Sequence, residues 1–589
     1  MTHDDMYASP RFASARRLAA GTLLAAVFVS APVRAELPRL WVAGDGDRIP
    51  ADALDYPSRD LNPFWDGRMI RITACRNETV AVQVVVAAEF SAVTVTGVEV
   101  RFAAPPFNRI AEVFSEHYLN VVKPSPDDEH GGWFWYKAAA PNLTGWLPDA
   151  LVPLTARAGR GGLPIRIEYG RQQAFWIDLA IPNDPAFPAG LLRATVRVQT
   201  NEGLVHLPLQ LEVVDAALPD TDLVKTMIYL SDVERRHGIT DPAIRRAYRL
   251  MAHRHRFDTA EGVGLAELPA YAPYLTGDAF TRAAGYDGPG QGQGLRVFGV
   301  GFYGAVGKQT KAELWKEFDA YAEWFKAHAP KVLSFIYLTD EPRKDMWAWV
   351  KEKGDWIHEN PGPGGKLPVF VTMKPRPEVE GAVDIFDTVA DALNIDGVKA
   401  ERAKGRRWWF YNGMRPMSGA VTIDAPGVDF RVQPWICWLN GVECWFYWES
   451  THWQHNHQGP RAGKDQNVWV DPVTFAGGDA EVNGDGTLFY PGQDAIFKDQ
   501  DRGIPGPVSS IRMKNLRRGQ QDLAYVALAI ANGHERQARA IGKKLIPRAF
   551  SDAKPGEPAS WPVDGTAWER ARQQLIDLIK LGSPRRDQD

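Results

Sequence analysis

The sequence predicts a multidomain chain: an N-terminal antiparallel β-sandwich over residues 36–218, followed by a (β/α)8 barrel of the TIM type over 219–545. Three observations carry this. At 589 residues the chain exceeds what one ordinary core accommodates. Its first part alternates apolar and polar residues with a period of two and lacks long helical stretches. Its second part repeats a nearly continuous apolar run followed by a helical pattern.

In the first part the alternation is clear at residues 69–73, 80–86 and 93–100, and again at 175–179, 192–198 and 207–214. Short half-buried strands separated by turn residues read as a sandwich. Ala217-Leu218-Pro219-Asp220 reads as a linker. Beyond it, apolar runs at 227–230, 297–300, 332–338, 369–372, 408–411 and 444–448 alternate with helices near 243–255, 311–328 and 346–358. Such strands belong to a parallel sheet covered on both sides, and the length fits a closed barrel with loop insertions. An open doubly wound sheet is disfavoured, because no glycine-rich phosphate loop follows the first strand. Residues 546–589 read as a helical tail with an amphipathic helix at 567–581.

Ahead of the sandwich, Arg11, Arg16 and Arg17 precede an apolar run at 18–31 that ends in Val33-Arg34-Ala35. That is the pattern of a signal peptide cut after Ala35, and it predicts a periplasmic or secreted protein with no membrane span once mature. The net charge of −4 and the lack of like-charge blocks argue against a nucleic-acid partner. Nothing in the pattern specifies an oligomeric state. Cys75, Cys437 and Cys444 form no disulfide framework; a Cys437–Cys444 pair and separate burial both stay open. His452, His455 and His457 with Asp465 read as a polar loop, and Asp485 lacks the spacing of a calcium loop, so no metal or cofactor is expected.

In a barrel of this kind the working residues close the strands at their C-terminal ends. Asp340-Glu341 closes the fourth, after Phe335-Ile336-Tyr337-Leu338. Two adjacent acids at the end of a buried run are costly to desolvate without a task. Pro342 predicts an extended backbone for Glu341; the bland reading is that Asp340 caps the helix that follows. Aromatic residues cluster on the neighbouring strand ends: Tyr337, then Trp408, Trp409 and Tyr411, then Trp445, Tyr447 and Trp448. Those facing the mouth would present flat apolar faces with polar tips, suited to a sugar.

The barrel half resembles glycoside hydrolase family 123 and the wider family-123-like domain. The likeness rests on residues 337–342, 408–411, 441–448, 483–492, 510–512 and 516–522, and in the sandwich on Arg76-Asn77-Glu78-Thr79 and the approach to Leu218-Pro219. It implies an exo-acting β-N-acetylgalactosaminidase working by substrate-assisted retention, with a glycan as its partner. Glu341 would be the general acid/base, and Asp340 would orient the 2-acetamido group. The resemblance also implies that Tyr411 and Tyr447 bond that group's oxygen. Two alternatives stay open: a two-carboxylate glycosidase with Glu449 as nucleophile, and a non-catalytic carbohydrate-binding envelope protein.

Overall fold

The computed structural model describes residues 38–582 apart from 126–142, 221–222, 232, 240, 456–462 and 478–479. The expected signal peptide and His457 lie outside these residues. Among the described residues no helix is long and apolar enough to cross a membrane.

The alternating strands of the first part form two facing sheets. A five-stranded sheet runs in the order Ile70–Arg76, Gly203–Ala217, Gly190–Thr200, Val93–Phe102 and Ile165–Ile167. A seven-stranded sheet runs Arg39–Gly44, Glu78–Ala87, Gln172–Ile181, Ala111–Val121, Gly145–Pro153, Pro507–Ser510 and Tyr490–Pro491. Their inward residues, such as Val82, Val84, Phe175, Ile177, Val196 and Leu211, make one core. Two features depart from the expectation. Ile70–Arg76 pairs with Gly203–Ala217 in parallel, so the sandwich is not wholly antiparallel. And two strands from late in the chain complete the larger sheet: Ser509 and Ser510 pair with Leu151 and Ala150.

The strand–helix repeat builds an eight-stranded parallel sheet. In chain order its strands are Lys225–Tyr229, Asp258–Ala260, Val297–Val300, Leu333–Thr339, Val369–Val371, Ile385–Thr388, Arg407–Tyr411 and Cys444–Tyr447. It curls almost into a barrel. The second and third strands share no ladder, but the Arg296 amide and guanidinium both bond the buried Asp258 carboxylate, at 2.8 and 2.9 Å, across that seam. Met227, Val297, Phe335, Tyr337, Phe370 and Trp409 are among the side chains that fill the lumen.

Helix Ile511–Ala531 follows the last barrel strand at a distance and lies almost wholly buried between the two halves. Its charged side chains are matched by sandwich carboxylates. Arg512 grips Asp149 at 2.7 and 2.9 Å, Lys514 and Arg517 meet Asp178, and Arg518 meets Glu78. Gly519 is required where this helix crosses Val428–Asn440, since a Cβ there would sit 2.4 Å from the Arg431 carbonyl. Helix Gly565–Leu581 buries Trp568, Arg572, Leu575 and Ile576 and joins the same junction. Cys437 and Cys444 are buried separately and free.

Candidate active site

Strand Leu333–Thr339 places Phe335 and Tyr337 in the lumen and then delivers Asp340 and Glu341 to solvent at the C-terminal end of the barrel. Neither acid starts a helix. The turn Lys344–Met346 is preceded by Arg343 and helix Trp347–His358 by Met346, without a side-chain cap in either case. Asp340 Oδ1 accepts hydrogen bonds from Tyr337 Oη at 2.7 Å and Thr372 Oγ1 at 2.8 Å. Thr372 Oγ1 in turn accepts the Glu341 amide at 2.5 Å, so one hydroxyl orients both residues. Glu341 Oε1 accepts from Tyr411 Oη. Uncharged donors thus hold the pair, and no described ion pair reaches either carboxylate.

The backbone of Glu341 is not extended as its place before Pro342 predicts: its φ is +40°. Such a conformation costs on the order of 1–3 kcal/mol and persists only where surrounding contacts overdetermine it. The Thr372 and Tyr411 bonds supply that constraint. Tyr303 and Asn412, also at positive φ, likewise follow barrel strands, so strain gathers at this rim.

Around the pair lies an aromatic floor. The Tyr337 ring neighbours Phe302 at 5.3 Å and Tyr303 at 5.5 Å, and Tyr229 packs edge-on against Tyr303 at 5.0 Å. Tyr303 Oη donates to the Trp448 carbonyl. Burial, then the nearby charges of Glu449 and Asp340, pushes the Tyr303 hydroxyl well above its usual pKa. Trp448 is half-buried, packs on His452 and Phe475, and donates its Nε1–H to Asp485 at 3.0 Å. Burial raises the Asp485 carboxyl to about 6.

Beneath the pair, Asp387 shares the lumen-facing side of its strand with Ile385. It is fully buried, and neither oxygen receives a well-formed hydrogen bond. Burial pushes its pKa well above the carboxylate range; the Thr388 amide opposes this and the Asp340 charge adds to it. Burial thus favours the protonated form of Asp387.

The structure corrects several expected substrate contacts. Strand alternation turns Trp408, Trp445 and Tyr447 outward, into the core shared with the helices. Their polar atoms are satisfied there by Thr388 Oγ1, the Asn412 carbonyl and Asp485. Tyr447 is fully buried, and its hydroxyl already donates to Asp485. Trp409 does face the lumen, but it is 0% exposed, sealed against Phe335 and Phe370. Glu449 is 5% exposed, and its Oε1 is held by the amides of Ser450 and Thr451 at 2.7 and 2.9 Å. Of the expected set, Asp340 and Glu341 are exposed at the mouth, Tyr337 and Tyr411 bond them from more buried positions, and the Trp448 carbonyl meets Tyr303.

Thr372, Tyr229, Phe302, Tyr303 and Asp387 went unread in the sequence. Thr372 does close an apolar run. Asp387 lies on a strand of four residues, too short for its pattern to stand out.

Residues 306–529 match the model of the glycoside hydrolase 123 catalytic domain. No curated protein matches the chain by sequence. Among solved structures, the fold resembles a family 123 glycoside hydrolase from Clostridium perfringens, studied for the details of glycolipid glycan hydrolysis. The TM-score is 0.62 at 11% identity, over 93% of this chain and 98% of that one. The β-glucuronidase 3 of Bacteroides uniformis is also similar, with a TM-score of 0.22 and 11% identity over 64% of this chain and 45% of that one. The family read from strand ends and the family whose catalytic-domain model residues 306–529 match are the same.

Proposed function

We propose that the protein is an exported glycoside hydrolase, periplasmic or secreted, that releases β-linked N-acetylhexosamine, N-acetylgalactosamine foremost, by substrate-assisted retention. One observation carries this reading: Asp340 and Glu341 are adjacent, exposed and held by uncharged hydroxyls, while Asp387, on a neighbouring barrel strand, and Glu449, just past the last one, are buried. An ordinary retaining enzyme needs a second free carboxylate about 5 Å across the sugar, whereas a substrate that supplies its own nucleophile does not.

In this mechanism the Glu341 carboxyl gives its proton to the glycosidic oxygen as the C1–O bond breaks. The acetamido carbonyl oxygen of the substrate forms a bond to C1, giving an oxazolinium ion. Asp340, fixed through Oδ1 by Tyr337 and Thr372, accepts the acetamido N–H on Oδ2 and stabilises the positive charge that develops. Glu341, now a carboxylate, takes a proton from water as that water attacks C1 and opens the ring. Tyr411 orients Glu341 through both steps.

The experiment is a panel of aryl β-glycosides with and without the 2-acetamido group, run with an N-acetyl-thiazoline inhibitor. Turnover confined to the acetamido compounds, blocked by the thiazoline, is the expected result. Turnover of plain glucosides or galactosides, indifferent to the thiazoline, overturns it.

A further inference from the structure

The barrel lumen holds two polar groups that the reaction above does not use. Asp387 is 0% exposed, and neither of its oxygens has a well-formed hydrogen bond, although the Thr388 amide comes near. Trp409 is equally buried, and its Nε1–H meets no acceptor among the described residues. The two are register partners on adjacent parallel strands, Ile385–Thr388 and Arg407–Tyr411, so their Cα atoms lie roughly 4.8 Å apart. Both side chains enter the lumen. Trp409 packs on Phe335 and Phe370 at ring distances of 5.7 and 5.9 Å, and Asp387 shares the side of Ile385. Left alone, an orphaned donor and an orphaned carboxyl would each cost about 1–3 kcal/mol. They make no direct bond, but a water between them satisfies both.

Counting donors and acceptors fixes where the protons of such a water go. Tyr337 Oη gives its proton to Asp340 and Tyr411 Oη gives its own to Glu341, which leaves each hydroxyl with free lone pairs. Burial, then the charge of the acid that each one holds, raises both phenols well above their usual pKa, so they stay donors to the pair. Asp387 lies close enough for its charge to act on both phenols and to feel that of Asp340. Burial favours its protonated form, in which the carboxyl donates one bond. The indole N–H and the Asp387 O–H thus supply two donors, and the water's own two protons are left for the phenol oxygens. The other titratable groups near Asp387 are Cys437 and Cys444, which burial keeps as thiols, and among the described residues no ion pair reaches it.

We infer that Asp387 is a positioning residue for the catalytic pair: with the Trp409 indole it anchors one buried water that donates to the hydroxyls of Tyr337 and Tyr411 and so fixes their bonds to Asp340 and Glu341. The inference rests on the reading of Asp340 and Glu341 as the working acids and deepens it.

A high-resolution crystal structure of the wild type tests the water without any substrate. Density within about 3.2 Å of both Trp409 Nε1 and an Asp387 oxygen upholds it. A direct bond between the two side chains, or a dry lumen, overturns it. Kinetics test the positioning on whichever aryl glycoside of the panel above is cleaved best, so that turnover of a plain glycoside sinks the acetamido mechanism and still lets this inference be judged. Asp387→Leu is expected to lower kcat about tenfold or more with KM within about twofold. Both limbs of its kcat–pH profile should move up by about half a unit or more, because weaker hydrogen bonds to Asp340 and Glu341 favour their protonated forms. Asp387→Asn keeps a donor and an acceptor, and is expected to regain most of kcat and to return both limbs. Trp409→Phe should move the limbs in the same direction, and no further when combined with Asp387→Leu. Limbs that stay in place in Asp387→Leu, as a purely structural loss would leave them, overturn the positioning role. So does an Asn variant no better than Leu, or a double variant whose shifts add.

Discussion

The mouth of the barrel and the junction between its halves both collect carboxylates, and they treat them in opposite ways. At the junction, Asp149, Asp178 and Glu78 are buried and matched by Arg512, by Lys514 and Arg517, and by Arg518 with Arg572. At the mouth, Asp340 and Glu341 are exposed and positioned by Tyr337, Thr372 and Tyr411. A guanidinium orients a carboxylate but also cancels its charge and occupies its lone pairs. A hydroxyl orients it and leaves both for a ligand. The difference separates carboxylates that hold the halves together from carboxylates left able to exchange protons.

Asp178 shows how far the junction goes. Burial opposes its charge, but Arg517 and Lys514 together outweigh that and hold its pKa far below the usual range. A depressed carboxylate contributes stability that is present above its unfolded pKa, about 4, and is lost as pH falls below it. The junction should therefore be the acid-labile part of the molecule.

The comparison can be broken most sharply at Glu341. Replacing it with Gln should lower kcat on an activated N-acetylhexosaminide by about 10²–10⁴-fold with little change in melting temperature, since the side chain is exposed. A loss of melting temperature without a loss of kcat would place it with the junction acids. Arg512→Met should do the reverse. It removes the bidentate partner of Asp149, leaving the Tyr490 hydroxyl and a longer contact to Arg48, and strands the carbonyls of Val421 and Gly484, and should cost about 3 kcal/mol in denaturant unfolding.

Asp485 sharpens the contrast through pH. Its folded pKa of about 6 lies above the unfolded value, so its stabilising effect is full below about pH 4 and lost as pH rises through about 6. Asp485→Asn lacks that loss. Relative to the variant, the wild type should lose roughly 2 kcal/mol between pH 4 and 7, read from paired denaturant melts, and parallel curves would refute the assignment. The smallest effect is expected at Thr372. Thr372→Val removes one bond to Asp340 and one to the Glu341 amide, and should lower kcat about tenfold with KM nearly unchanged. An unchanged kcat would show that Tyr337 and Tyr411 suffice.

Much of this was legible in the chain, and the failures have particular causes. The run at 332–338 and the acids that close it were readable because a buried strand and its polar terminus are local features. Six of the eight barrel strands were read. The two missed, Asp258–Ala260 and Ile385–Thr388, are short and carry a buried acid each, which breaks an apolar pattern. The motif around 510–522 was visible, but its service as the junction helix was not, because its charges look solvent-facing until the sandwich covers them.

By itself, then, the sequence determined the periodicities, the strand–helix repeat and the position of the acidic pair, since each depends on residues within a few places of one another. Tertiary structure decided the rest. Which of Trp408 and Trp409 faces inward depends on how the strand is seated in the sheet, because alternate side chains point to opposite faces. Thr372 meets Asp340, and Tyr411 meets Glu341, only because the closing sheet brings separate strand ends to one rim. Pro507–Ser510 joins the sandwich because its edge pairs with Gly145–Pro153, more than 300 residues away in the chain, where no local pattern reaches.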